Sequence, residues 1–314
     1  MSTTFSMRGI VALALVVLLA ACQTVPPQPP AETPMAPVAP PSAPVVVAPP
    51  VPKPPVRAPR VGLALGGGAA RGFAHIGAIQ VFEAAGIRPA LVVGTSAGSL
   101  VAALYASGKT GAELEALALT MDEGAITDWA FPTRGLIRGE ALARFVREHT
   151  GGQAIEQMKL PLGIVATDLD SGAGILFQRG DTGVAVRASS AVPAVFQPVK
   201  IGNREYVDGG LVSPVPVRFA RQMGAEMVIA IDISSPPDGA ATDGVMRMLL
   251  QTFAIMGKSI NQFELREADI VLRPALVGVG SGDFTSRVRA IRSGREAAQA
   301  QLAEIRTRIA ALTR

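Results

Sequence analysis

Gly94-Thr95-Ser96-Ala97-Gly98 is a Gly-x-Ser-x-Gly turn that follows the apolar run Leu91-Val92-Val93 and leads into a helix-forming stretch. On such a strand-to-helix turn a serine is held on strained backbone, and the flanking Gly94 and Gly98 leave room for a substrate close by. That placement suits a nucleophile, although a bare motif of this kind arises easily in a chain with 33 glycines. Two further features accompany it. The stretch Gly66-Gly67-Gly68-Ala69-Ala70-Arg71-Gly72 forms a glycine-rich turn after the apolar Val61–Leu65, and Asp208-Gly209-Gly210 follows a hairpin pattern. Strand, glycine loop and helix make an anion cradle, because backbone N–H groups at a helix N-terminus point at negative charge. Acyl transfer needs these parts: a hydroxyl to attack a carbonyl, a base to take its proton, and N–H donors for the oxyanion.

The usual base is histidine, and the chain has two, His75 and His149. An α/β-hydrolase triad in its chain order requires a histidine after the acid, and none follows His149. An acid between Ser96 and His149 would have almost no room, so the count argues for a serine–carboxylate dyad. His75, in the helix after the glycine loop, reads as a packed or hydrogen-bonded helix residue rather than a catalytic acid. His149, near a helix end, favours the helix dipole.

Gly66 to Gly72, Gly94 to Gly98 and Asp208-Gly209-Gly210 resemble the three signatures of the patatin-like phospholipase family. The similarity runs over most of residues 61–273 and includes Ala166-Thr167-Asp168-Leu169, Arg187-Ala188-Ser189-Ser190 and Ala191-Val192-Pro193. The resemblance implies Ser96 as nucleophile and Asp208 as its base. It also implies an oxyanion hole drawn from the loop Gly66, Gly67, Gly68, Ala69, Arg71 and Gly72, with Arg71 steadying the loop or offsetting negative charge. It implies a membrane lipid substrate and hydrolysis of fatty-acyl esters through an acyl-serine, with neither metal nor cofactor. The loop places two alanines between Gly68 and Arg71, where the shorter family form has one residue, which leaves open which amide donates. One rival is a dinucleotide cradle, but that reading wants an acidic residue at the end of the second strand, where Gly94-Thr95-Ser96 stands. The other is a catalytically weak or inactive envelope lipoprotein that keeps the fold as a lipid-binding or scaffolding module.

The elements that must position these residues follow from periodicity. Strands are predicted at Val61–Leu65, Pro89–Val93, Pro161–Asp168, Met227–Ile233 and Ile270–Leu272, with Ile175–Arg179 pairing near the third. A hairpin of Val199–Ile201 and Glu205–Val207 turns around Gly202-Asn203. Helices are predicted at Phe73–Ala85, Ala112–Met121, Glu140–His149, Asp181–Ser190, Val215–Met223, Val245–Arg266 and Arg287–Leu312. Between Asp122 and Gly139 the chain reads as irregular, a surface connection or a rim near the site. The Met-rich helix from Val245 has apolar residues spread wide of one face, which suits burial or a wall for acyl chains. The arginines of the closing helix read as a solvated face. Alternation of strand and helix predicts an α/β body with a largely parallel sheet under helices on both faces, and the resemblance makes it a patatin-like three-layer α/β/α sandwich.

Ahead of this body, residues 61–314, the chain has a different character. Arg8 precedes an apolar run from Ile10 to Ala21, too short to span a bilayer comfortably and laid out like a secretory signal. It ends Leu19-Ala20-Ala21-Cys22, which resembles the lipobox of bacterial lipoproteins and implies a signal peptide over 1–22 with lipidation of Cys22. Cys22 is the single cysteine, so no internal disulfide or cysteine-based metal site forms, and a lone thiol in an oxidising compartment calls for a role. Residues 23–60 hold 15 of the 25 prolines and read as a disordered tether that reaches on the order of 100 Å at ~3.1 Å per residue. Gln23 is not the aspartate associated with inner-membrane retention, so the expected address is the periplasmic face of the outer membrane. A net charge of +4 without a basic cluster interleaved with aromatics excludes nucleic acid as the expected partner. Intact-mass analysis of protein from a bacterial membrane fraction is expected to find an acylated Cys22 at the mature terminus; an unmodified terminus elsewhere would sink this reading.

Overall fold

The computed structural model describes residues 57–129, 134–234, 244–280 and 282–314; Cys22 and nearly all of the proline-rich segment lie outside them. The strands are β1 (Val61–Leu65), β2 (Leu91–Thr95), β3 (Gly135–Ile137), β4 (Leu162–Asp168), β5 (Gly174–Phe177), β6 (Ala194–Phe196), β7 (Val199–Ile201), β8 (Arg204–Asp208), β9 (Met227–Ile231) and β10 (Ile270–Leu272). The helices are α1 (Phe73–Ala84), α2 (Ala97–Ala106), α3 (Gly111–Thr120), α4 (Glu140–His149), α5 (Thr182–Ser189), α6 (Val217–Gln222), α7 (Val245–Glu264) and α8 (Arg287–Leu312). The main sheet runs β10-β9-β1-β2-β4-β8-β7, with β5 also paired to β4. From β10 to β4 all neighbours are parallel. The remaining pairs, β4 with β5, β4 with β8 and β7 with β8, are antiparallel.

Alternation along each strand sends side chains to two apolar layers. Leu63 and Leu65 of β1, Val92 of β2 and Ile229 and Ile231 of β9 join α1, α2 and α8 on one face. Ala64, Val93, Val165, Val228 and Ala230 meet α6 on the other. The result is a three-layer α/β/α sandwich. The second strand ends two residues later than its predicted boundary: Pro89 has no N–H for the ladder, while Gly94 and Thr95 find partners in Ile164 and Val165 of β4. The short parallel pair β3 and β6 carries no period that its three-residue strands could display, and it organises part of the stretch read as irregular.

The Met-rich helix differs from expectation. Among its described side chains only Asn261 and Glu264 are buried, whereas Val245, Met248, Leu250, Ile255, Met256 and Phe263 are exposed. It is therefore not a core helix. Both sheet faces already carry helices, so α7 packs at the side, against the turn Gly209–Leu211 and Pro214.

Helix α8 crosses α1 at very close range. A Cβ at Gly77 would lie 1.9 Å from the Ile291 carbonyl oxygen, and one at Gly294 would lie 1.8 Å from that of Ala74. Glycine is thus required where the two backbones meet. Arg287 is not part of a merely solvated face: its guanidinium donates to the carbonyls of Ala118 and Met121 at 2.7 Å each, closing the C-terminal end of α3. Gly294→Val is expected to lower unfolding stability by about 3 kcal/mol through overpacking, against a change within about 0.5 kcal/mol for Ala300→Val on the exposed side of the same helix. Denaturant midpoints of the two variants would test this, and equal midpoints would contradict the crossing.

Candidate active site

Ser96 occupies the turn between β2 and α2 with φ 54° and ψ −124°, a backbone conformation that costs a non-glycine residue about 1–3 kcal/mol. The turn is tight enough to exclude side chains on either flank. A Cβ at Gly98 would sit 2.1 Å from the Leu65 carbonyl oxygen, and one at Gly94 would sit 2.4 Å from that of Gly98. The strain is held by bonds on each side of Ser96. Its N–H donates to Ser189 Oγ at 2.8 Å, and its carbonyl accepts from the Ser99 N–H at 2.8 Å and the Ser99 hydroxyl at 2.6 Å.

Asp208 ends β8, and the register of β4 brings it to Ser96. Thr95 is opposite Val165, and Asp208 is opposite the next residue, Ala166. Strand β5 overlaps both β2 and β8 in its pairing with β4, so it occupies one edge of β4 while β2 and β8 share the other. The C-terminal ends of β2 and β8 consequently meet head to head along a single strand edge. Asp208 is held there by its N–H to the Ala191 carbonyl at 2.9 Å and by its own carbonyl, which accepts from the Thr167 hydroxyl at 2.8 Å.

The Asp208 carboxylate is buried, and burial raises its pKa to about 6 against the opposing pull of the Gly210 N–H and the Ser96 hydroxyl. Oδ1 accepts from the Gly210 N–H at 2.6 Å. Oδ2 is buried with no well-formed hydrogen bond. Ser96 is thus near enough to favour the charged carboxylate, while the bond between them is looser than a regular one.

The glycine loop lies against this pair. A Cβ at Gly67 would be 3.1 Å from the Ser96 Cβ, and one at Gly72 would be 2.9 Å from the Ala97 Cβ. Its amides are engaged unequally, with the Arg71 N–H bonded to the Gly68 carbonyl at 3.2 Å and the Ala70 N–H to no backbone carbonyl among the described residues. The N–H groups of Gly66 and Gly67 are taken by the carbonyls of Ile231 at 3.1 Å and Pro214 at 2.9 Å. Those of Gly68 and Ala69 donate to no backbone carbonyl among the described residues, and Ala69 has φ 51° at the start of a 3-10 turn, Ala69–Gly72. Buried Arg71 reaches back from that turn, its Nε donating to the Gly68 carbonyl at 3.2 Å. His75 is fully buried and its pKa falls to about 4 because burial disfavours the charged ring. The neutral ring donates from Nε2 to the Gly66 carbonyl at 2.8 Å, a positioning contact behind the loop. His149 lies against Phe145, with ring centroids 4.3 Å apart and the rings tilted by 57°.

Several supporting residues were not singled out by type or spacing. Ser189, at the end of α5, links the Ser96 N–H to the Val165 carbonyl, to which its hydroxyl donates at 2.5 Å. Thr95 donates to the Ser213 carbonyl at 2.9 Å, and the Ser213 hydroxyl donates to buried Glu264 at 2.8 Å. Only the Arg187-Ala188-Ser189-Ser190 similarity pointed towards Ser189, and nothing in sequence connects Glu264 to the site. A cleft of about 450 Å³ lies beside the end of β8, with apolar walls from Leu136, Leu169, Pro193, Pro198 and Val207. No group of three or more His, Cys, Asp or Glu able to hold a metal ion occurs among the described residues.

The raised pKa of Asp208 has a consequence for stability. Its folded value of about 6 exceeds its ordinary value of 3.8, so protonation favours the native state and that contribution is lost as pH rises through about 6. Asp208→Asn is therefore expected to be more stable than the parent by about 2–3 kcal/mol at pH 8, with the difference shrinking between pH 6 and 4. Denaturant unfolding across that range measures it, and a difference independent of pH would contradict the buried charge.

A family model described as patatin-like phospholipase matches residues 63–221, half of the chain. An uncharacterised NTE-family protein of Mycobacterium tuberculosis is 37% identical over 188 residues, covering 59% of this chain and 52% of the relative. Patatin-like phospholipase domain-containing protein 6 of Mus musculus is 34% identical over 184 residues, covering 56% of this chain and 14% of that protein. The chain spans about half the length of the mycobacterial relatives it matches. Among solved structures, VipD from Legionella pneumophila superposes with a TM-score of 0.55 at 14% identity, over 78% of this chain and 67% of that one, a likeness of fold. With the family match spanning β1 to α6, and with the serine turn, the glycine loop and Asp208 inside it, this chain belongs to the patatin-like phospholipase family.

Proposed function

We propose that the protein is a serine acyl hydrolase that cleaves fatty-acyl esters of membrane lipids with Ser96 as nucleophile and Asp208 as base. The observation that carries the reading is the shared edge of β4, which sets the strained serine beside a buried carboxylate whose Oδ2 lacks a regular partner. In the first step Ser96 Oγ attacks the ester carbonyl carbon while Asp208 takes the hydroxyl proton. Negative charge moves to the carbonyl oxygen and is met by the amides of Gly68 and Ala69, two of the loop N–H groups without a backbone acceptor. Gly66 and Gly67, whose amides are engaged, shape the loop. Collapse of the tetrahedral species breaks the carbon–oxygen bond, and the alcohol leaves with the proton from Asp208. Water then gives a proton to Asp208 and attacks the acyl-serine. Breakdown returns that proton to Ser96 and releases the fatty acid. A base with a pKa of about 6 is largely ionised at neutral pH and still accepts a proton readily. No metal or cofactor enters these steps.

The same reading gives the chain its address. A signal peptide over 1–22, a lipid on Cys22 and a tether over 23–60 would hold the catalytic body, 61–314, near a bilayer, with the periplasmic face of a bacterial outer membrane as the proposed location. Among the described residues no helix is long and apolar enough to cross a membrane.

Purified protein is expected to hydrolyse p-nitrophenyl acyl esters and to react with a fluorophosphonate. Ser96→Ala should abolish the labelling, and Asp208→Asn should slow hydrolysis by about 10²–10⁴-fold, the usual contribution of a positioned base. Rates should rise with pH through about 6 as Asp208 ionises. Labelling that persists in Ser96→Ala would refute the assignment, and a lipid panel read by mass spectrometry would identify the ester cleaved.

A further inference from the structure

Helix α7 leaves an apolar stripe in solvent that neither the core nor the site uses. Val245, Met248, Ile255, Met256 and Phe263 recur at helical spacing on one side, and Val245 is 84% exposed and Phe263 67%. Three cations accompany the stripe: exposed Arg247 and Lys258, and Arg266, whose guanidinium lies 5.3 Å from the Phe263 ring centroid. From Val245 to Phe263 the helix carries no acidic residue. Its one acid, Glu264, is turned inward onto Ser213. An exposed, largely apolar stripe, broken by the hydroxyls of Thr252 and Ser259 and accompanied by three cations against one exposed acid, Glu267 beyond its C-terminal end, complements a surface that is apolar below and anionic above, which is the make-up of a bilayer with acidic headgroups. The helix is not apolar enough to cross such a bilayer, so it fits lying in the interface plane.

The inner side of α7 is joined to the site. Glu264 accepts the Ser213 hydroxyl at 2.8 Å, the Ser213 carbonyl accepts the Thr95 hydroxyl at 2.9 Å, and Gly257 approaches Pro214 closely enough that its Cβ would lie 3.5 Å from the proline ring. Segment 209–214 is thus held between Asp208 at its start, Thr95 beside Ser96, and α7. We propose that α7 is an interfacial docking helix that seats the body on an anionic lipid bilayer next to the Ser96–Asp208 pair. This deepens the hydrolase reading and rests on it for the identity of the lipid as substrate.

The test uses the full chain carrying Cys22→Ser, with a single environment-sensitive nitrobenzoxadiazole probe introduced through Met248→Cys, Ile255→Cys or Phe263→Cys, and through Ala300→Cys on α8 as control. Vesicles of equal parts phosphatidylcholine and phosphatidylglycerol are expected to brighten and blue-shift the three α7 probes and leave the α8 probe unchanged. Vesicles of phosphatidylcholine alone should produce a much weaker response. Replacing both cations, Arg247→Gln with Lys258→Gln, should raise the lipid concentration for half-response about thirtyfold. Silent α7 probes, or an equal response at Ala300, would overturn the proposal. So would a response that appears on raising protein concentration without vesicles, since a second copy of the chain would then cover the stripe. Ser96-dependent hydrolysis of a soluble short-chain ester, measured on the same samples, separates the two readings. Its absence beside a normal probe response would overturn the catalytic reading alone, and its presence beside silent probes would overturn docking alone.

Discussion

The edge of β4 is the constraint on which the site depends. A strand advances about 3.3 Å per residue, so partners of Val165 and Ala166 on one edge must be neighbours, however far apart they stand in the chain. Thr95 and Asp208 are those partners. Because β2 arrives parallel to β4 and β8 arrives antiparallel, both strands end at the same point and their following turns face each other. A one-residue slip of β8 would move Asp208 from one face of the sheet to the other and separate it from Ser96. The Thr167 hydroxyl on the Asp208 carbonyl and the Ala191 carbonyl on its N–H hold that register from both sides.

Around this junction the fold stores two unfavourable features, a non-glycine residue at positive φ and a buried carboxylate that lacks its full set of hydrogen bonds. Neither persists without support elsewhere. Ser189 supplies an acceptor for the strained serine N–H, and Gly210 supplies a donor for one carboxylate oxygen. The close crossing of α1 and α8 adds rigidity behind the glycine loop, because α1 carries His75, whose ring fixes the Gly66 carbonyl. Pro214 and Ile231 complete the loop by occupying two of its amides, so the strand ends, the turn after β8 and the loop form one bonded unit.

Periodicity read the body well where a single face or an unbroken apolar run decided the element. The strands β1 and β10 and the helices α4 and α8 stand at their predicted bounds. Periodicity places α7 within two residues of its bounds but mistakes its burial, for a physical reason. Wide apolar coverage of a helix says that water is unfavourable over most of its surface, but not that the protein has a layer left to cover it. With α6 on one face of the sheet and α1, α2 and α8 on the other, α7 is left at the side beside the turn after Asp208. The short β3–β6 pair is not legible in the sequence because three residues display no period.

At the site, the types and order of residues along the chain determined a serine turn between glycines, a preceding glycine loop and a carboxylate before a Gly-Gly turn, and the two histidines ruled out a conventional triad by position. Those are local properties: each needs only a few neighbouring residues to be recognised. Tertiary structure decided which carboxylate meets the serine, since that depends on strand register across more than a hundred residues. It decided that the Gly66 and Gly67 amides are taken by Ile231 and Pro214 while those of Gly68 and Ala69 are not, because those acceptors come from the end of β9 and the turn after β8, both distant in the chain. It also set Ser189, Ser213 and Glu264 around the pair. Long-range pairing is a property of how the sheet closes, and no local pattern in the chain encodes it.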